Sequence, residues 1–200
     1  MTNNASICVV LDRSGSMESC RSDAVGAVNS YLRQVRDDET IDATVSVIIF
    51  DSESIDCIRD RCPATTCPPL EDSEYEPRSM TPLFDAVAHG VSVLSASEGD
   101  GQRHILVVMT DGQENASREH TRETIAALLK RKQEKDGWLI VYLGADHEAW
   151  EQARHLGIRA GHTANLDKAS LRFGEAICNR GIDVDRLHVP TRYRIHDIAR

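Results

Sequence analysis

Asp12, Ser14 and Ser16 stand two residues apart in the stretch Asp12-Arg13-Ser14-Gly15-Ser16-Met17. In extended or turn geometry that spacing lets one carboxylate and two hydroxyls point the same way. Gly15 permits a tight turn between the serines. All the donor atoms are oxygens, which suits a hard divalent cation. The same residues also suit a plain strand-to-helix turn in which the serines cap the next helix. Two later stretches weigh on the choice. One is Met80-Thr81-Pro82-Leu83-Phe84-Asp85. The other is Val107-Val108-Met109-Thr110-Asp111-Gly112, an apolar run that ends in aspartate and glycine.

Taken together and in this order, the three stretches resemble the von Willebrand factor A family, from about Ser6 to about Leu143. The resemblance is strongest to the short stand-alone A-domain proteins of bacteria and phages. The family's metal-ion-dependent adhesion site is written D-x-S-x-S, then a threonine, then an aspartate after the fourth strand. Those positions fall here on Asp12, Ser14, Ser16, Thr81 and Asp111. Many members have glycine just before the threonine, whereas this chain has Ser79-Met80. The resemblance implies a cation held by the hydroxyls of Ser14, Ser16 and Thr81, with Asp12 and Asp111 binding directly or through water. Mg²⁺ is the first choice, because it takes oxygen ligands at about 2.0–2.1 Å and retains waters. Mn²⁺ and Ca²⁺ are the alternatives. The implied function is protein binding, in which an Asp or Glu of a partner protein completes the coordination.

The elements that must position these residues are legible in the apolar pattern. Ile7-Cys8-Val9-Val10-Leu11 is a short, β-branched run and reads as a buried strand. Arg21 to Val35 reads as a helix with Ala24, Val25, Val28, Tyr31, Leu32 and Val35 on one face. Ala43 to Phe50 is a strand, and Ile55 to Arg59 a short strand returning antiparallel to it. Cys62 to Arg78, with four prolines and four acidic residues, is a long irregular loop. Thr81-Pro82 reads as a hydroxyl cap and first helical proline, opening a helix to about Ser95. Strand His104–Thr110, helix Thr121–Lys135, strand Trp138–Gly144 and a helix from Asp146 to about Leu156 follow. A short edge strand at Ala160–Thr163 and a last helix at Asp167–Asn179 end the pattern.

Alternating strands and helices predict an α/β fold: a doubly wound, mostly parallel sheet flanked by helices. Both aspartates can reach one ion only if their strands are neighbours, which implies order 3-2-1-4-5-6 with one short antiparallel edge strand. Ligands then bind beyond the strand C-termini at the switch point. The predicted organisation is one domain over 1–180 and a C-terminal tail over 181–200.

Composition narrows the function. The chain has 200 residues, 40% hydrophobic and 28% charged, with a net charge of −9. Such a surface repels nucleic acid and anionic membranes. The Lys130-Arg131-Lys132 cluster is the cationic last turn of a helix rather than a basic stripe. Neither a signal-peptide pattern nor a long apolar span is visible, so a cytoplasmic location is expected. Among six cysteines, Cys8 and Cys178 read as core thiols, and Cys57, Cys62 and Cys67 as reduced thiols rather than a zinc site.

Enzyme chemistry finds little support. No nucleophile elbow, phosphate loop or dinucleotide fingerprint is present. Ser14 rather than Asp two residues after Asp12 argues against a phosphoaspartate hydrolase. The alternatives to a simple binding module are a regulatory or assembly subunit of an ATPase-type complex and a metal-assisted hydrolase. Asp51 reads as a hairpin-turn opener, with support of the site as its other role. Asp85 is explained by the helix dipole, and Glu114 reads as a solvated loop residue. The expected rim of the site is Arg13 and Met17, the Pro-rich loop before Arg78, and Gln113 to Asn115.

Overall fold

The computed structural model describes residues 3–96, 102–111, 113–144, 147–158 and 163–165. Six strands, β1 (Asn3–Asp12), β2 (Ile41–Phe50), β3 (Ile55–Pro63), β4 (Arg103–Thr110), β5 (Leu139–Gly144) and β6 (Thr163–Asn165), form one sheet in the order β3-β2-β1-β4-β5-β6. All neighbours are parallel except β2 and β3. The expected order and the antiparallel edge are both present. The edge strand is nine residues, longer than expected, because it continues past a register shift opposite Val45–Ile48. Arg61, with φ +47°, and its N–H on the Ser46 hydroxyl carry the chain through that irregularity.

Among the described residues four α-helices, α1 (Arg21–Asp37), α2 (Leu83–Ser95), α3 (Arg122–Glu134) and α4 (His147–His155), flank the sheet. Alternation along β1 divides the core. Ile7, Val9 and Leu11 face α1 residues such as Val28 and Leu32, while Cys8 and Val10 pack with Val87 and Val91 of α2 and with Ile125 and Leu129 of α3. Strands buried on both faces explain their near-continuous apolar runs. Helix α2 lies close on the sheet: a Cβ at Gly90 would come within 2.6 Å of Val10 Cγ2.

The long segment after β3 is irregular, as expected, apart from a short 3₁₀ turn at Asp72–Glu74. It is nonetheless packed. Ala64, Cys67, Leu70 and Tyr75 are buried in the α1-side core. Asn29 of α1 holds Leu70 by both backbone groups, at 2.9 and 2.7 Å. Arg59 of β3 grips the Glu74 carboxylate with two bonds, at 2.8 and 2.7 Å. Cys62, expected to open this loop, belongs to β3 together with Cys57. The five described cysteines are free thiols, Cys8 buried among them. Among the described residues no helix is long and apolar enough to cross a membrane. Residues 97–101, the expected helix start at Asp146, residues 160–162 of the expected edge strand, Cys178, the expected helix at 167–179 and the tail from 181 lie outside the described residues.

Candidate functional site at the sheet edge

The register of β1 against β4 runs to Leu11↔Met109, so Asp12 and Thr110 end neighbouring strands side by side. Asp12 is fully buried. Its Oδ2 accepts the Thr110 hydroxyl at 2.5 Å, and its Oδ1 accepts the Ser14 N–H at 2.7 Å. From there a chain of oxygens leads outward. Ser14 Oγ and Ser16 Oγ are 3.1 Å apart, and Ser16 Oγ donates to Asp111 Oδ1 at 2.8 Å. Four of the five expected residues are thus linked into one string from a buried carboxylate to the surface.

Thr81 is not bonded to this string among the described contacts; its backbone is held by Asn115 of the loop after β4. The segment before it runs beside the first loop: Arg78 N–H donates to Arg13 O at 2.8 Å, and Gly15 N–H to Ser79 O at 3.1 Å. Thr81 itself is buried. Its N–H donates to Asn115 Oδ1 at 2.8 Å, and Asn115 N–H returns a bond to Thr81 O at 3.1 Å. The expectation that the Thr81 hydroxyl caps α2 is corrected. The residue before the helix is Pro82, without a side-chain cap. The loop after β4 supplies the caps instead. Glu114 and Ser117 accept the Phe84 N–H, each at 3.0 Å. Because that loop crosses the end of α2, the threonine hydroxyl is not consumed by the helix.

Glu114 is therefore no solvated rim residue. Its carboxylate also takes the N–H groups of Ala116 and Ser117, which folds the loop on itself. Asp85 answers from the helix side, accepting the N–H groups of Arg118 and His120 at 2.7 and 2.9 Å. Burial pushes the Asp85 carboxyl up, but those N–H groups and the His120 ring bring it below the ordinary carboxylate range. The dipole of α2 is thus only part of its role.

Arg13 and Met17 are both buried and do not form the rim. Arg13 N–H still bonds to Phe50 O, so the chain follows β2 for one more residue. The Arg13 side chain leaves towards the β2–β3 turn and meets Asp51 at 2.7 Å and Asp56 at 3.1 Å. Met17 sits in a 3₁₀ turn, Gly15–Cys20, and enters the α1-side core. Asp51 does open the hairpin turn, accepting the N–H groups of Glu53 and Ser54 on Oδ1. It also fixes Arg13 and Arg78 on Oδ2, a supporting role one layer behind the site. Sequence reasoning missed Tyr75, whose hydroxyl donates to Asp12 O. A tyrosine in an otherwise polar, Pro-rich loop has to bury its ring somewhere, and that was the available signal.

Electrostatics favour a cation here. Burial pushes the Asp12 carboxyl up to about 6, against hydrogen bonds from Thr110 and Ser14, and the charge of Asp111 adds to the rise. Among the described residues the Asp12 carboxylate forms no ion pair with Lys or Arg. A buried carboxylate without a positive partner is costly, and a divalent ion would supply one. No three His, Cys, Asp or Glu side chains converge among the described residues as a metal-binding group. The candidate set is two carboxylates and three hydroxyls, and it fits a hard ion that takes only oxygen.

No family model matches the chain, and no curated protein matches it. Solved structures do. The pilus adhesin SpaC from Lactobacillus rhamnosus GG superimposes with a TM-score of 0.65 at 15% identity, over 89% of this chain and 30% of that one. A von Willebrand factor type A structure from Catenulispora acidiphila gives 0.61 at 12% identity, over 87% and 42%. Manganese-loaded TRAP protein from Plasmodium vivax gives 0.58 at 11% identity, over 82% and 68%. The chain thus spans under half the length of the first two.

Proposed function

We propose that this chain, which has the von Willebrand factor A-type fold, is a divalent-cation-dependent protein-binding module. Ser14, Ser16 and Thr81 would offer hydroxyls to the ion, with Asp12 and Asp111 balancing its charge. When bound, the cation supplies an electrophilic position that an outside carboxylate can occupy. The observation that carries the reading is the buried Asp12 carboxylate, tied through two serines to Asp111 at one sheet edge and, among the described residues, in no ion pair with Lys or Arg. Structures of the same fold include one loaded with manganese and one pilus adhesin, which agrees with both halves of the proposal.

The partner presents an Asp or Glu. With −9 overall, this chain repels acidic surfaces at long range, so that carboxylate stands in a less acidic, partly basic setting. The reading assigns no catalytic step. Ser16 donates to Asp111, and Ser14 pairs with Ser16; among the described residues neither serine is bonded to an imidazole base. The test is calorimetric titration of the full chain with MgCl2 and with MnCl2. Single-site binding is expected, lost in Ser14→Ala, Thr81→Ala and Asp111→Ala with circular dichroism unchanged. Absence of saturable binding by either ion overturns the proposal.

A further inference from the structure

Among the described residues one large hydrophobic side chain is exposed, Met80 at 53%. A single exposed apolar residue is ordinary on a protein surface. Met80 differs in where it stands and how firmly its backbone is held. It directly precedes Thr81, so its Cα lies about 3.8 Å from that of a proposed ion ligand. Its N–H donates to Ser52 Oγ at 3.1 Å, and its carbonyl accepts the Ser52 N–H at 2.9 Å. Ser79 before it has φ +59°, a left-handed conformation that a non-glycine residue adopts at a cost. That conformation is held from two sides: Ser79 Oγ donates to Glu53 at 2.6 Å, and Ser79 O accepts Gly15 N–H. The β2–β3 turn, the first loop and Asn115 thus fix residues 79–81 from three directions.

We infer that Met80 is a specificity-determining residue: the segment this site accepts carries an Asp or Glu with a large apolar side chain within one or two positions. The inference rests on the cation-binding reading above. A methionine suits the task because its unbranched thioether adapts to apolar partners of different shape. The carboxylate fixes the partner on the ion, and the apolar neighbour covers Met80, which removes its side chain from water. An acidic residue alone, or one flanked by further charges, leaves Met80 exposed and binds more weakly.

The probe is a phage-displayed library of random linear peptides, panned on the full chain in MgCl2 and eluted with EDTA. The same panning is done on Met80→Gln, whose Mn²⁺ binding is measured beside that of the unsubstituted chain. The expected result is an EDTA-eluted consensus of Asp or Glu beside Leu, Ile, Met or Phe. On Met80→Gln the apolar preference is lost, Mn²⁺ binding is unchanged, and a peptide selected on the unsubstituted chain binds about tenfold more weakly. An acidic consensus without an apolar neighbour overturns the inference and leaves the cation reading standing. So does the same consensus and affinity on both proteins. Absence of both saturable Mn²⁺ binding and EDTA-eluted peptides overturns the cation reading and this inference with it.

Discussion

Thr81 and Asn115 are joined twice, Thr81 N–H to Asn115 Oδ1 at 2.8 Å and Asn115 N–H to Thr81 O at 3.1 Å. The pair ties the loop before α2 to the loop after β4. Asn115 is exposed, yet it sets the position of a buried threonine. Asn115→Ala leaves the Thr81 N–H unpaired, at a cost of about 1–3 kcal/mol. Thermal melts should therefore fall by several degrees, and Mg²⁺ affinity should fall as well. Asn115→Asp retains the acceptor and should bind Mg²⁺ close to normally. Equal Mg²⁺ affinity in Asn115→Ala and the unsubstituted chain contradicts the positioning role.

Cation binding should appear as stability. An ion that binds only the folded chain adds about 2.7 kcal/mol at a hundred times its dissociation constant. For a domain of this size that is about 5–10 °C in Tm. Melts in Mg²⁺ and in EDTA are compared, with Asp12→Asn as the control that should lose most of the difference. Superimposed melts of the unsubstituted chain count against the site.

Asp51 governs a separate pH dependence. Burial pushes its carboxyl up, but the Arg78 hydrogen bond, the Glu53 and Ser54 N–H groups and the Arg13 charge together hold it below the ordinary value of 3.8. The folded group therefore stays ionised where the unfolded one is already protonated. Its contribution is fully present well above pH 3.8 and is lost as pH falls from there through the folded value. Asp51→Asn should cost about 3 kcal/mol near neutrality, because the buried Arg13 loses its closest partner. Urea midpoints across pH 2 to 7 should show a shallower acid limb in the variant. Parallel acid limbs contradict the assignment.

Gly90 sets two effects of opposite sign against each other. Alanine in a helix interior gains up to about 1 kcal/mol over glycine. The new Cβ would lie 2.6 Å from Val10 Cγ2 and 3.1 Å from Leu106 Cδ1, in a filled core. Overpacking of that kind costs about 1–3 kcal/mol, so Gly90→Ala should be net destabilising. Chemical denaturation that shows it more stable than the parent would mean that α2 shifts freely on the sheet.

The strand order was legible because parallel strands covered on both faces read as unbroken apolar runs, and the β1 and β4 runs stop at Asp12 and Asp111, the two aspartates that one ion would need side by side. Asp12, Ser14 and Ser16 were legible because they are adjacent in the chain. Thr81 and Asp111 were legible only by resemblance. What sequence reasoning could not give was the direction of side chains beyond a strand end. Arg13 follows β2 for one more residue, which turns its guanidinium towards Asp51, and Met17 turns into the core. Nor could it give partners far apart in sequence. Tyr75 with Asp12, and Glu114 with Phe84, meet only once the loops are folded.

The string from Asp12 to Asp111 is built from distant parts of the chain. Thr110 lies 98 residues from Asp12, and Asp111 lies 95 from Ser16. Contacts of such separation form late, after the loop between them has been closed. A nascent chain that has made only β1, α1 and β2 holds Asp12 and both serines but lacks Thr81 and Asp111, so the proposed binding set is incomplete. On the proposed function, ion capture is then a mark of the finished fold. An ion that enters after the rate-limiting step should slow unfolding and leave the refolding rate nearly unchanged.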